Sequence, residues 1–261
     1  MEKTKDLLID TCLLAGKIMM ESGSEVYRVE DTMNRIAENA NEPNSKSYVT
    51  ATGIFMGLKS SRYTQIENVG ERNINLEKVE AVNQLSRKFA EKSVDLPKLY
   101  QQLKIIDKET PEFPLILQVL SAAFLSAFLM ILFGGHWINF IPTLFIGGFG
   151  FFIKHEVKQH FDLRFFDIFI SSFLIGILAL LFTRTGLALS FDYMCIGAVM
   201  PLVPGVAITA SLRDILAGHL VSGLVRGTEA IIVAASIAIG IACVLSIFGG
   251  FFHDIFSSVF S

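Results

Sequence analysis

The stretch FPLILQVLSAAFLSAFLMILF, residues 113–133, has 21 residues and no charged side chain. An α-helix of about 20 apolar residues is long enough to cross the hydrocarbon core of a bilayer. Four further apolar stretches follow it, and for these we predict spans at 138–153, 165–183, 187–211 and 230–252. The first of these, 138–153, is short for a span at 16 residues. The pattern predicts a polytopic α-helical membrane protein with about five transmembrane helices.

The residues before this stretch have a different composition. Residues 1–112 contain 16 of the 22 Lys and Arg and 18 of the 25 Asp and Glu in the chain. Hydrophobic spacing there predicts helices at 5–21, 25–40, 75–94 and 95–109, strands at 47–58 and 63–69, and a turn at 59–62. We therefore expect residues 1–112 to form a small α/β cytoplasmic domain and residues 113–261 to form the transmembrane domain, with a hinge at Pro111 and Pro114.

The basic residues between the predicted spans indicate an orientation. Short cytoplasmic loops of membrane proteins collect Lys and Arg, and exported loops avoid them. With the N-terminal domain in the cytoplasm, the inner loops would carry Lys154, Lys158, Arg164, Arg213 and Arg226, whereas the outer loops would carry Arg184. Charged residues interrupt the apolar patch near the N-terminus, so we do not expect a signal peptide there. The sequence predicts a multi-pass protein of the inner (cytoplasmic) membrane with a cytoplasmic N-terminus.

Several kinds of chemistry find no support in the sequence. The stretch GIFMGLKS, residues 53–60, lacks the glycine spacing of a phosphate-binding loop and has Leu58 where the pattern requires Lys. The three cysteines are far apart and suggest no metal site, and no catalytic constellation or basic patch is present. We therefore expect no cofactor, no metal, no nucleic-acid partner and no enzymatic activity.

The fourth predicted span contains helix-breaking residues in its middle. Pro201 and Pro204 lack an amide hydrogen, and Gly205 weakens the helix further. Irregular backbone within a membrane is tolerated where protein buries it or where it lines a water-filled cavity. Transporters use such broken helices to direct the N-terminal end of a half-helix at a carboxylate. One interpretation is a simple proline kink, and the other is a transport site whose half-helix begins at about Gly205.

Charged residues follow the predicted break at Arg213, Asp214, His219, Arg226 and Glu229. They could cap and orient two helices at the cytoplasmic surface, or they could act in gating and substrate entry. Arg226 and Glu229 are three residues apart and could form an ion pair, and His219 is the candidate pH-sensitive group. Together with Pro201, Pro204 and Gly205, these five residues are the candidate substrate-binding or transport residues.

Two further carboxylates and a row of alanines lie in the predicted spans. Asp167 and Asp192 are near span ends and are proton-relay candidates, although both could lie at the level of the lipid headgroups. In the last span, Ala230, Ala234, Ala238 and Ala242 form a stripe of small residues. Such a stripe lets helices approach closely, so it is either a packing face within the chain or a contact with a second subunit.

Two stretches of this sequence resemble the threonine/serine exporter family. They are ESGSEVYRVEDTMNRIAENA, residues 21–40, and PLVPGVAITASLRDILAGHLVSGLVRGTEA, residues 201–230. The characteristic run of that family has Pro and Gly, then Asp, Gly, Gly and Arg, at positions that here are Pro204, Gly205, Asp214, Gly218, Gly223 and Arg226. Single-chain members carry a second membrane half, which this chain lacks. It is therefore similar to the larger subunit of the split, two-component form.

The resemblance implies a secondary transporter that exports small carboxylate-bearing metabolites, either threonine and serine or a C4-dicarboxylate such as succinate. It also implies proton coupling and a short membrane partner subunit, while a homo-oligomer is the other way to complete a pathway. The expected partners are thus the small-molecule solute, membrane lipid and a second subunit. Two other classes stay open from the residues alone: a membrane-anchored hydrolase and a non-transporting membrane scaffold.

Overall fold

The computed structural model describes residues 2–58, 64–70, 72–109, 113–161 and 163–259, and within these ranges it describes side chains at 4–108 and 113–248. By its internal contacts the chain divides into two compact units. The first comprises Met1–Glu112 together with Gly205–Thr228, and the second comprises Phe113–Pro204 together with Glu229–Ser261.

Among the described residues, the first unit has four helices and a small sheet before the chain enters the second unit. The helices are α1 (Glu2–Glu21), α2 (Val26–Asn39), α3 (Leu76–Ala90) and α4 (Leu96–Glu109). The strands β1 (Lys46–Val49), β2 (Gly53–Gly57) and β3 (Thr64–Asn68) form an antiparallel sheet in the order β1-β2-β3. Apolar side chains from all four helices and the first two strands pack into one core, as the amphipathic spacing predicts.

The predicted strand at 47–58 is wrong as a single strand, because the structure divides it into the hairpin β1–β2. Val49 pairs with Ile54, and Thr50 closes the turn between them. The amide of Thr50 donates to the carbonyl of Gly53 at 2.8 Å, and its Oγ1 accepts from the amide of Gly53 at 3.0 Å. The turn is therefore built by a threonine side chain within an apolar run. The turn predicted at 59–62 and the hinge residue Pro111 lie outside the described residues.

The second unit is a bundle of apolar helices. They are α5 (Leu115–Leu132), α6 (Phe140–His160), α7 (Phe166–Arg184), α8 (Phe191–Val199) and the later part of α10 (Leu220–Val259), while α9 (Gly205–Leu216) belongs to the first unit. Small residues bring these helices together. A Cβ at Gly148 would lie 3.0 Å from the Ala123 side chain, and one at Gly197 would lie 2.7 Å from the carbonyl oxygen of Ser126. Backbones this close gain packing contacts that substitute for the hydrophobic effect in lipid.

Among the described residues, four helices are long and apolar enough to cross a membrane, and the bent pair α8–α9 adds a fifth if it is one span. The predicted spans at 113–133 and 165–183 match α5 and α7 closely. The short span at 138–153 is part of a longer helix, because α6 continues to His160 and carries Lys154 and Lys158 on its last turns. The predicted loop before the last span is also helical, since α10 begins at Leu220.

The buried face of α10 is not its alanine stripe. Ile237, Gly240 and Val244 are buried, whereas Ala234, Ala238 and Ala242 are exposed. A Cβ at Gly240 would lie 2.9 Å from the carbonyl oxygen of Phe169 on α7. The prediction that the alanines form the packing face within the chain is therefore wrong for three of the four. The contact with a second subunit stays a prediction.

Candidate functional site

The break in the fourth span has the position that its prolines predict. Helix α8 ends at Val199, Met200–Leu202 form one turn of 3-10 helix containing Pro201, and α9 begins at Gly205 directly after Pro204. Gly205 is exposed, and among the described residues no atom beyond its chain neighbours and the backbone of its own helix lies within 4 Å of the position where it would carry a Cβ. The first amides of α9 have no partner within the helix, as at any helix N-terminus. The binding of a ligand with negative charge at this end of α9 stays a prediction.

A tight turn reverses the chain from α9 into α10. Gly218 has φ +91°, a conformation that favours glycine. The amide of Gly218 donates to the carbonyl of Ile215 at 3.0 Å, and the amide of His219 donates to the carbonyl of Asp214 at 2.8 Å. This is the Schellman pattern of a helix C-terminus. His219 therefore contributes its backbone to the turn.

Gly223 lets the two helices approach after the turn. A Cβ there would lie 2.5 Å from Cγ1 of Ile215 and 2.8 Å from the carbonyl oxygen of Ser211. Such distances leave no room for a side chain larger than hydrogen. The two glycines of the motif run thus have separate structural roles, one in the turn and one in the contact between α9 and the start of α10.

Asp214 is fully buried and binds the N-terminus of α2. Its Oδ1 accepts a hydrogen bond from the amide of Val26 at 3.0 Å, although the two residues are 188 positions apart in the sequence. Val26 is the first residue of α2, and the N-cap residue Glu25 makes no side-chain capping hydrogen bond. The spacing of Ser22 and Glu25 alone predicts a capping box at this helix start, but none forms, and a carboxylate from α9 satisfies the Val26 amide instead. Its negative charge also suits a helix N-terminus.

Arg226 is the second buried charge of this contact, with 4% of its surface exposed. Its Nη1 lies 3.4 Å from Oδ2 of Asp214, and its Nη2 donates to the carbonyl of Ser24 at 2.8 Å and to Sδ of Met20 at 3.7 Å. A buried ion pair is costly to break because either partner alone would be a buried, uncompensated charge. Asp214 and Arg226 thus bind the α1–α2 turn, residues 22–25, to the α9–α10 hairpin.

Glu25 adds an outer ion pair to the same contact. Its Oε1 accepts from Nη1 of Arg213 at 2.7 Å, and its Oε2 lies 3.4 Å from Nη1 of Arg28. Burial raises the pKa of the Glu25 carboxyl, but hydrogen bonds from its own backbone amide, Arg213 and Arg28 outweigh burial, so its pKa lies below the ordinary value. We call the contact formed by Asp214, Arg226 and Arg213 with the α1–α2 turn and Val26 the clamp.

His219 lies at the edge of the clamp. Its Nε2 is 3.8 Å from Oε2 of Glu30, and the other carboxylate oxygen of Glu30 accepts from the amide of Val49 at 3.0 Å. Glu30 thus connects α2 to β1 and faces the α9–α10 turn. Protonation of His219 would strengthen this pair.

The remaining candidate residues lie in the second unit. Oε1 of Glu229 is 3.6 Å from Nη1 of Arg164. Asp167 and Asp192 occupy the first turns of α7 and α8, where a carboxylate is favourable. Asp192 is exposed, whereas Asp167 is partly buried and interacts electrostatically with Lys154 on α6. Glu229, Asp167 and Asp192 thus belong to the second unit, whereas the clamp residues belong to the first.

Among the residues that the structure describes, no group of three or more His, Cys, Asp and Glu could hold a metal ion. The carboxylates of the clamp are already engaged by an arginine and by backbone amides. The chemistry available in the clamp is thus that of ion pairing between helices.

The comparisons with known proteins give one finding. The family model described as "Putative threonine/serine exporter" (ThrE) matches residues 10–248. The chain belongs to this family. It is accordingly a multi-pass membrane protein of a transporter family. Neither the comparison with curated proteins nor the comparison with solved structures gives a match.

The motif run of the threonine/serine exporter resemblance separates into two places in the structure. Pro204 and Gly205 form the break and the open end of α9. Asp214 and Arg226 form the buried ion pair of the clamp, with Gly218 and Gly223 shaping the hairpin that carries them. Their roles in transport stay predictions, whereas their contacts explain why these residue types suit these positions.

Sequence reasoning missed the partners of the clamp. These are the carbonyl of Ser24, the amide of Val26 and the thioether of Met20. Backbone groups leave no signal in a sequence pattern. A usable signal was the presence of Asp214 and Arg226 on helices that are otherwise mainly apolar, because a charge in such a setting needs a partner.

Proposed function

We propose that this chain is the larger subunit of a two-component secondary transporter in the inner (cytoplasmic) membrane. It exports small carboxylate-bearing metabolites, with threonine and serine as the primary solutes and C4-dicarboxylates such as succinate as the alternative class. Membership of the threonine/serine exporter family supports the export function. A short membrane subunit completes the pathway, and the N-terminal domain lies in the cytoplasm.

The observation that carries the proposal is the open N-terminal end of α9 at Gly205. Free amides at a helix N-terminus bind carboxylates, and the helix dipole adds favourable electrostatics. The carboxylate shared by threonine, serine and succinate would bind there. Pro201 and Pro204 keep the preceding backbone out of a regular helix, which leaves that end unobstructed.

Proton coupling would use a carboxylate of the apolar helices. Asp167 is the better candidate because it is partly buried and interacts with Lys154, whereas Asp192 is exposed. A carboxylate that exchanges a proton during each cycle links the solute flux to the proton gradient. The expected phenotype of Asp167→Asn is export that no longer responds to an imposed pH gradient.

The clamp gives the cytoplasmic domain a part in this function. It attaches the α1–α2 turn to the hairpin that begins at the proposed solute site, through Asp214, Arg226 and Arg213. A rearrangement of α9 during transport would therefore strain or release the clamp. His219 lies at the edge of the same hairpin, 3.8 Å from Oε2 of Glu30, and would adjust its position.

The test is export from proteoliposomes that contain this chain and its co-expressed membrane partner. With a proton gradient imposed, we expect efflux of labelled threonine or serine, and Pro204→Ala combined with Gly205→Ala should reduce the rate strongly. The matched control is Thr228→Ala, an exposed position on the same hairpin. The proposal would be overturned if wild-type proteoliposomes with a proton gradient released threonine, serine and succinate no faster than proteoliposomes without the protein. Hydrolytic turnover without solute flux would favour the membrane-anchored hydrolase. Absence of both turnover and flux would favour the non-transporting scaffold.

A further inference from the structure

Strand β3 forms one edge of the three-stranded sheet, because it pairs with β2 alone. The ladder shows which of its backbone groups face outward. The amide of Val69 donates to the carbonyl of Thr52 at 3.1 Å, so these two residues form a hydrogen-bonded pair. Such pairs alternate along an antiparallel ladder with pairs that share no hydrogen bond. The residues whose amides and carbonyls point away from β2 are therefore Thr64, Ile66 and Asn68.

The two edges of the sheet differ in how they are covered. At the edge formed by β1, the amide of Val49 donates to Oε1 of Glu30 at 3.0 Å, and Oγ of Ser47 donates to Oδ1 of Asn34 at 2.9 Å. Glu30 and Asn34 both belong to α2, which therefore covers this edge. Within the described part of the chain, no group hydrogen-bonds to the outward amides and carbonyls of β3. The edge formed by β3 is thus open.

Strand β3 also lacks the features that usually protect an open edge, which are Pro, Lys and bulges. Its sequence is TQIEN, and its five residues pair with β2 without interruption, from Gly57 opposite Thr64 to Gly53 opposite Asn68. Ile66, in the middle of the strand, is 61% exposed. An extended chain can therefore add to this edge as a fourth strand.

The sequence of β3 is complementary to itself when two copies run antiparallel about an axis at Ile66. Ile66 then lies opposite the same residue of the second copy, and Thr64 lies opposite Asn68. These are the residues with outward amides and carbonyls, so every outward group finds a partner. Gln65 lies opposite Glu67, where its side-chain amide can donate to the carboxylate.

The charge of Glu67 excludes one neighbouring register. An axis at Glu67 would place two carboxylates directly opposite each other, which destabilises a strand pair. An axis at Gln65 would place Ile66 opposite Thr64 and extend Asn68 past the end of the other strand. We propose that β3 pairs with β3 of a second copy of this chain, antiparallel and centred on Ile66, so that the two sheets become one continuous sheet.

The open face of the sheet favours the same pairing. Tyr48, Phe55 and Ile66 are direct neighbours across the three strands, and the ring centroids of Tyr48 and Phe55 are 6.0 Å apart. In the paired sheet, the apolar rows of the two copies meet at Ile66. A strand pair of this length is a small interface, and confinement to one membrane raises the effective concentration of the second copy. The pairing depends neither on the transported solute nor on the proposed export function.

Disulfide cross-linking in membranes of expressing cells tests the register. The background is the full chain with its native cysteines replaced, through Cys12→Ala, Cys195→Ala and Cys243→Ala. Gln65→Cys and Glu67→Cys are then placed on separate chains that carry different affinity tags. Opposite residues of this kind of pair have Cα atoms about 4.5 Å apart, which a disulfide can bridge.

Oxidation should join the two tags, with much less product when all chains carry Gln65→Cys or all carry Glu67→Cys. Absence of a product, or equal product in the three combinations, would overturn the pairing. A larger product from Glu67→Cys alone would overturn the register.

Charge variants at the axis give a second test that does not depend on cysteine replacement. Ile66→Lys and Ile66→Glu each place like charges opposite each other, so each should raise the dissociation constant of the dimer about tenfold or more. Sedimentation equilibrium of the full chain in density-matched detergent measures this constant. An equimolar mixture of the two variants should regain the wild-type constant, which a damaged fold would not do.

Tyr48→Lys is the matched control, because Tyr48 is 57% exposed on the same face but lies two strands away from the axis. It should leave the dissociation constant unchanged. A monomeric wild-type chain, or equal constants for the wild type and Ile66→Lys, would overturn the proposal. A photoreactive amino acid at position 66 should capture a second copy of the chain in membranes, and capture of other polypeptides alone would refute the second copy as the occupant.

Discussion

At the scale of single residues, the most consequential observation is that Asp214 has no exposed surface and two different partners. One oxygen accepts from the amide of Val26, and the other lies beside the guanidinium of Arg226. A neutral amide at position 214 could still accept the hydrogen bond but could not balance the buried cation. We therefore expect Asp214→Asn to lower the free energy of unfolding by about 3–5 kcal/mol, the usual cost of leaving one buried charge unpaired. Thermal denaturation of the full chain in detergent measures the effect.

The outer ion pair provides the control for this prediction. Arg213 is 65% exposed at its side chain, so Arg213→Gln should cost only about 0–1 kcal/mol. Combining Asp214→Asn with Arg226→Met should recover part of the lost stability, because no unpaired charge is then buried. Equal destabilisation by Asp214→Asn and Arg213→Gln would show that the buried ion pair contributes no more to the free energy of unfolding than the exposed one.

Acidification should weaken the clamp through Glu25. Its pKa is lower in the folded chain than in the unfolded one, so its contribution is complete above the unfolded pKa and is lost as the pH falls through the folded pKa. Since an unperturbed glutamate titrates near about 4.3, the loss should occur below about pH 4. Exchange rates of amides 24–29, corrected for intrinsic pH dependence, should rise there. Glu25→Gln should remove this step, and a step that persists in the variant would assign it to another group.

At the scale of elements, the α9–α10 hairpin depends on one close approach. A Cβ at Gly223 would lie 2.8 Å from the carbonyl oxygen of Ser211, whereas one at Gly227 would lie at an ordinary 3.6 Å from Oγ of the same serine. We expect Gly223→Ala to cost about 1–3 kcal/mol through overpacking, and Gly227→Ala to gain up to about 1 kcal/mol from helix propensity. Melting temperatures of the two variants should move in opposite directions. A stabilised Gly223→Ala protein would mean that the helices can separate without loss.

The packing face of α10 against α7 offers a second comparison at this scale. Gly240 is buried against the backbone of Phe169, and Ala238 is exposed on the other side of the helix. Gly240→Leu should therefore reduce the thermal stability of the chain, while Ala238→Leu should leave it unchanged. If the alanine stripe contacts a second subunit, Ala238→Leu should instead reduce co-purification of that subunit. A stable Gly240→Leu protein would argue against the α7–α10 contact.

Most of the apolar elements could be predicted from the sequence, because length and absence of charge determine whether a helix can cross a membrane. The start of α10 could not be predicted in this way. Arg226 and Glu229 interrupt the apolar run, although the helix continues through them. The hairpin within residues 47–58 escaped prediction for a different reason, since the Thr50 turn contains none of the usual Asn-Gly or Pro-Gly signals.

At the scale of the whole molecule, residues 205–228 group with the N-terminal unit, which no local pattern indicated. Spacing rules detect partners three or four residues apart on a helix, whereas Asp214 and Val26 are 188 residues apart. The candidate residues could be chosen from the sequence because charges and prolines are unusual in apolar helices. Their assignment to two places, the open end of α9 and the clamp, required the three-dimensional structure.

This grouping predicts that the first unit still assembles when the chain is divided between residues 112 and 113, although residues 205–228 are then on the other piece. When residues 1–112 carrying an affinity tag are co-expressed with residues 113–261, the two pieces should co-purify in detergent, because the clamp joins them through Asp214 and Arg226. Asp214→Ala combined with Arg226→Ala in the larger piece should abolish co-purification, since the amide of Val26 and the carbonyl of Ser24 then lose their partners. Arg213→Ala is the control and should retain it, given the exposure of that side chain. Equal recovery of wild-type and doubly substituted pieces would show that other contacts hold residues 205–228 in the first unit.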